Sequence, residues 1–126
     1  MNMDDVGAAN ARTVERFYQS ERDRDISVWV TFWHVEGRQT FPTLGESATV
    51  SGIDALEAIT REKFEVRPPY GITAVVDALA DPRMVLARLA LDFAEQPLVH
   101  LWCLFHFDDE GLIIEVEEIF DRGSTD

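Results

Sequence analysis

A chain of 126 residues with 46 % hydrophobic side chains, eight Phe and three Trp carries enough apolar mass for one packed domain and too much for disorder. Its 24 acids against 11 Lys and Arg give a formal net charge of −13, which argues against nucleic acid and anionic membranes as partners. The single Cys103 excludes an internal disulfide, no apolar run nears the roughly 20 residues that span a bilayer, and the acidic start MNMDDVGAAN lacks the apolar core of a secretion signal, so the expected location is the cytoplasm.

In chain order, residues 1–9 read as a flexible lead and 10–126 as a single domain. From Asn10, a reasonable N-cap, to Arg24 the sequence NARTVERFYQSERDR is helical in pattern, with Val14, Phe17 and Tyr18 at the i, i+3, i+4 spacing of one face. ISVWVTFW (26–33) fits a shorter helix with a Val28, Trp29, Phe32, Trp33 stripe, and its β-branched residues also allow a strand. Glu36-Gly37 ends that element, Arg38–Pro42 is a short strand, and 43–51 is a loop with room for another. Gly52-Ile53-Asp54 opens a third helix that runs to about Val66 and is stopped by Arg67-Pro68-Pro69. Its stripe of Ile53, Leu56, Ile59 and Phe64 is broken by Thr60, and Lys63 is assigned to the solvated side.

Four long strands follow, Ile72–Leu79, Met84–Ala94, Leu98–Phe107 and Leu112–Asp121, joined by short links that imply sequential antiparallel pairing. Helices first and a meander last predict an α+β fold, with helices on one face of a curved sheet. A three-residue turn at Asp109-Glu110-Gly111 pairs Trp102 with Glu118 and His100 with Phe120. A similar loop over Glu95–Pro97 pairs Asp92 with His100 and Ala90 with Trp102. One face then carries Arg88, Asp92, His100, Trp102, His106 and Glu118 among apolar neighbours. The other carries Leu89, Leu91, Phe93, Leu101, Cys103, Phe105, Phe107, Ile113 and Ile119. Helices cover only one face in a chain this small. The expectation is that the polar-studded face lines a cavity under the helices and that the greasy face packs on a second copy, making a homodimer.

Several stretches resemble the nuclear transport factor 2-like superfamily, which includes SnoaL-type polyketide cyclases, ketosteroid isomerases, limonene epoxide hydrolases and PhzA/PhzB-type phenazine-biosynthesis proteins. ARTVERFYQS is similar to the first-helix pattern, FWHVEGRQTFP to the entry into the first strand, SGIDAL to the Gly-initiated third helix, and HFDDEGLIIEVEEIFD to the closing hairpin. The resemblance implies a cone-shaped α+β barrel and, for many relatives, acid–base chemistry without a cofactor. It also marks departures. The ketosteroid isomerase base position matches Phe41, the first-helix oxyanion Tyr matches Phe17 with Tyr18 adjacent, and the second oxyanion donor matches His100. The epoxide hydrolase pattern is met at Arg88 and Glu118, but its water-activating Asp falls at Ala90, with Asp92 the nearest substitute. Glu118 matches the cavity Glu of the PhzA/PhzB-type members.

Glu118 on an apolar strand face should resist ionisation, the state a general acid needs near neutrality. His100 opposite Asp92 resembles a base with its orienting carboxylate, and Arg88 suits a charge stabiliser. Against these stand bland alternatives: a register error that exposes Glu118, a structural ion pair with Arg88, or a merely structural His100. Trp102, Phe120, Tyr18, Trp33, Tyr70 and Phe41 are expected to line the substrate site. Nothing has metal-ligand spacing, and no cofactor is implied. The expected function is cyclisation, isomerisation or dehydration of a small apolar or polycyclic metabolite. The alternatives are an epoxide hydrolase or epoxide-opening cyclase, and a non-catalytic ligand-binding or dimerisation module.

Overall fold

The first helix, α1, runs from Met3 to Arg22 in the computed structural model, which describes residues 2–41 and 48–120. It starts seven residues before the expected Asn10, because Asn2 is the N-cap, its side chain accepting from Asp5 N at 2.9 Å, and Asp4 and Asp5 suit the positive end of the helix. Residues 3–9 are therefore helical rather than a flexible lead. Asn10 is buried mid-helix and its Nδ2 donates to Pro82 O at 2.9 Å.

Beyond Arg24 the chain turns into α2 (Ile26–Trp29), capped by the Asp25 carboxylate, then a 3₁₀ turn over Val30–Phe32 and strand β1 (Trp33–Phe41). The strand begins five residues earlier than expected, so Glu36-Gly37 lies inside it. The remaining elements are β2 (Ala48–Ser51), α3 (Ile53–Val66), β3 (Gly71–Ala78), β4 (Met84–Asp92), β5 (Val99–Phe107) and β6 (Ile113–Phe120). Helix α3 matches its predicted span. Pro42, the expected end of the first strand, lies outside the described residues.

The six strands form one mixed sheet in the order β2-β1-β6-β5-β4-β3. The predicted antiparallel meander is present from β3 to β6, and β1 joins β6 in parallel. Helix α1 packs on β3 and β4, and α3 on β1 and β2, so the helices cover one face. This is the α+β cone expected from the sequence. Among the described residues no helix is long and apolar enough to cross a membrane.

The covered face is the opposite of the one predicted. Val85, Ala87, Leu89, Leu101, Cys103, Phe105 and Phe107 all lie buried beneath the helices. Trp102, on the alternate parity, is 49 % exposed. Greasy side chains go under the helices because that is where most water is removed per residue. The polar-studded face looks outward, and of its polar residues only Glu118 turns inward, in company with Val116, while Ile119 turns outward. A β-bulge explains the change. The hairpin starts in the predicted register, with Phe107 opposite Ile113, and Gly111 takes the expected left-handed conformation at φ 83°. Ile114 is then extra, and the ladder resumes as His106–Glu115, Phe105–Val116 and Cys103–Glu118. One inserted residue inverts the facing of all that follows.

A second irregularity lies in β1, where pairing with β6 breaks between Trp33 and Arg38. A Cβ at Gly37 would fall 2.6 Å from Trp33 Cε3 and 3.2 Å from Ile113 O. Trp33 is 4 % exposed and locked in the aromatic cluster, so it cannot yield. Gly37→Ala should therefore lower unfolding free energy by about 1–3 kcal/mol, the usual cost of overpacking, measured by urea denaturation. An unchanged midpoint would contradict this packing.

Candidate active site

Four elements deliver polar side chains into one cavity of about 510 Å³ beneath the helices. Helix α1 buries Val14, Phe17 and Tyr18, and one turn further the same stripe presents Glu21. On α3 the buried positions Leu56 and Thr60 continue in the same way to Lys63. Strands β1 and β6 add Gln39 and Glu118. Much of the remaining wall is apolar: Ile72, Leu89, Leu91, Leu101 and Val116 among others.

Glu118 Oε1 accepts from Gln39 Nε2 at 3.1 Å. Its carboxyl is raised from its ordinary 4.5 to about 7, chiefly because burial disfavours the anion, with nearby Lys63 pulling the other way and Glu21 adding to the rise. Glu21 Oε1 accepts from Trp29 Nε1 at 3.1 Å and faces Lys63 Nζ at 3.8 Å. Burial works against the Lys63 ammonium, yet Glu21, Tyr70 and Glu118 together hold it above its ordinary value. Tyr18, buried in the core, is pushed up by burial first and by Cys103 and Glu21 next, so it is a neutral phenol. Burial likewise raises the Cys103 thiol, which makes it inert.

The site therefore holds one carboxyl poised near neutrality and a second carboxylate anchored by an indole N–H and an ammonium, at one end of an apolar chamber. Such a pair can lend and accept a proton at a bound molecule.

Of the residues singled out in the sequence, Glu118, Tyr18, Tyr70 and Phe41 line this cavity. Phe120 pairs through its backbone with Leu101, and its side chain lies outside the described residues. Trp33 is packed against Trp29 and Phe17 in the core instead. Arg88, Asp92, His100 and Trp102 are on the outer side of the sheet, away from Glu118. Arg88 Nη2 pairs with Asp77 Oδ2 at 3.3 Å. The expected Asp92–His100 pair does not form, because the β4–β5 link spans Phe93–Leu98, and His100 falls opposite Ala90 while Asp92 falls opposite Gly71. Ala94 and Glu95 take left-handed conformations in that link, with Asp92 Oδ1 accepting from Ala94 N at 3.0 Å. His106, also outside, lies near Glu115 and Glu117.

Sequence reasoning missed Glu21, Gln39 and Lys63. Their signal was present: Glu21 stands seven residues after Val14, and Lys63 seven after Leu56, each where its apolar stripe calls for another hydrophobe.

No protein-family model matches the chain, and no curated protein matches its sequence. Solved structures match its fold closely. A protein named as a polyketide cyclase from Xanthomonas campestris pv. campestris superposes with a TM-score of 0.78 at 13 % identity, covering 95 % of this chain and 96 % of that one. One named as a ketosteroid isomerase from Kribbella flavida gives 0.77 at 12 % identity, over 91 % and 79 % of the two chains. The epoxide hydrolase/cyclase-like enzyme SalBIII, of pyran ring formation in salinomycin, gives 0.76 at 14 % identity, over 90 % and 92 %. Proteins named as SnoaL-like and NTF-2 like share the architecture. The chain shares the fold of these proteins.

Proposed function

We propose that the chain is an enzyme that moves a proton on a small, largely apolar metabolite, with Glu118 as the general acid–base group. The observation that carries this reading is Glu118 itself: the carboxyl lies at the wall of an apolar cavity, hydrogen bonded to Gln39, and titrates near 7. The cavity volume is within the roughly 300–1,000 Å³ of small-molecule sites. Glu21, held by Trp29 and Lys63, takes the complementary place first assigned to His100 and Asp92. Cyclisation, isomerisation and dehydration all fit this pair. A non-catalytic receptor would not need a carboxyl kept near its titration point inside the chamber. The test is ring opening of a nitrobenzisoxazole, a one-proton reaction, by the protein and by Glu118→Gln. Equal rates in the two would end the proposal.

Two carboxyl groups facing one cavity also support epoxide opening, with Glu118 protonating the epoxide oxygen while Glu21 takes a proton from the attacking hydroxyl or water. Product analysis with a terminal epoxide distinguishes this reaction from isomerisation.

A second copy of the chain is the partner we assign to the outer sheet face. Trp102 and Ile119 are cross-strand partners there, 49 % and 47 % exposed, and Val75 is 49 % exposed. Trp102→Glu should convert a dimer to a monomer in sedimentation equilibrium, and a mass unaffected by the substitution would remove this face from consideration.

A further inference from the structure

The C-terminal end of α3 is pinned over the polar end of the cavity. Arg24 spends its guanidinium on three carbonyls there, Phe64 O at 2.5 Å, Arg67 O at 2.7 Å and Pro68 O at 2.7 Å, which fixes where Lys63 and Arg67 project. The two cations are in different circumstances. Lys63 has Glu21 at 3.8 Å as its counter-ion. Arg67, exposed to water, also lines the cavity, and its side chain has no hydrogen bond or ion pair among the described residues, although its charge reaches Glu118. Glu62, the other acid on this rim, is exposed to water.

We propose that the ligand has an apolar body and one carboxylate head, the head seated on Arg67 and Lys63 beside Glu118. This rests on the reading of the cavity as a small-molecule site. The charges decide the head group. Glu21 already balances Lys63, so Arg67 is one positive charge without a partner, and a planar carboxylate matches a guanidinium fork. A neutral head leaves that charge to water alone. A doubly charged phosphate brings an extra negative charge towards Glu21. Glu118 completes the seat only in its neutral form, because a second anion beside the head repels it. The groups that face Glu118 from the surrounding elements are Tyr18 and Glu21 on α1, Gln39 on β1, Lys63 and Arg67 on α3 and its end, and Cys103 on β5. Tyr18 and Cys103 remain neutral, so Glu118 is the group whose charge changes near neutrality.

The experiment is calorimetric titration of the full chain with decanoate and with decanol, two probes that share a body and differ in the head. At a pH of about 6, decanoate should bind at least about tenfold more tightly than decanol. That advantage should shrink as the pH is raised to about 8, because Glu118 gives up its proton and becomes an anion beside the head. Arg67→Met, at an exposed position, should remove the preference without loss of decanol binding. Glu118→Gln should keep the preference and abolish its pH dependence. Equal affinity for the two probes, or a preference that survives Arg67→Met, overturns the head-group assignment and leaves the cavity reading standing. If neither probe binds, both fall.

Discussion

Glu118→Gln is expected to lower the rate of benzisoxazole ring opening by about two to four orders of magnitude, the usual contribution of a positioned acid–base group. The amide is nearly isosteric and still offers an oxygen to Gln39 Nε2, so the cavity keeps its shape while losing the proton-transferring group. In the native protein the rate should rise through a pH of about 7, where the carboxyl becomes the base. The same substitution has an opposite effect on stability. Because the folded carboxyl titrates at about 7 against an ordinary 4.5, the folded state holds a proton that the unfolded chain has released over that window. The contribution of Glu118 to stability is thus fully present below about 4.5 and is lost as pH rises through about 7. The upper limit of that loss is roughly 3 kcal/mol, reduced by the carboxyl's partial contact with water. Glu118→Gln, neutral throughout, should therefore gain stability relative to the native protein between a pH of about 5 and about 8, as read from urea midpoints. A slower but more stable protein is the signature of a group kept for function. A variant that loses both activity and stability would place Glu118 in the structural framework instead.

Phe105→Ala carries the largest expected cost to folding. The ring is 0 % exposed and meets Phe17 edge-on at 5.5 Å and Tyr18 at 5.8 Å, linking β5 to α1. Phe17 in turn touches Trp29, Phe32 and Trp33, so the cavity opened by truncation sits where the helices dock on the sheet. The loss should be about 3–5 kcal/mol, made of lost transfer energy and an unfilled void. Against a total stability of about 5–15 kcal/mol for a domain of this kind, that is a large fraction. Equilibrium urea unfolding measures it. Phe105→Leu, which keeps most of the volume, should lose much less, and equal losses in both would point to something other than the void.

The architecture was largely legible in the residues. Periodicity and the Gly52 and Pro68 boundaries give α3 its full span, and the Asp109-Glu110-Gly111 turn gives the closing hairpin its start. Local signals of this kind act over a few residues, and the order of helices and strands leaves few ways to stack them. Glu118 was also visible, as one acid among Val116 and Phe120 on a strand. What surrounds it was not. The partners first assigned, Arg88, Asp92 and His100, depended on counting across two turns, and alternation makes such counting fragile: one bulged residue at Ile114 turned Glu118 away from Trp102 and toward Cys103. The choice between two mostly apolar faces was likewise non-local, made by which side α1 and α3 could cover.

Glu21, Gln39 and Lys63 mark the division most clearly. Each occupies an inward position that its own element defines, so the sequence by itself determined that three polar side chains interrupt three buried surfaces. That they meet Glu118 at one end of the same chamber was decided only when α1, α3, β1 and β6 packed together. The physical reason is range: side-chain periodicity is set by the backbone of each element, whereas a shared cavity depends on contacts between residues as far apart in the chain as Glu21 and Glu118.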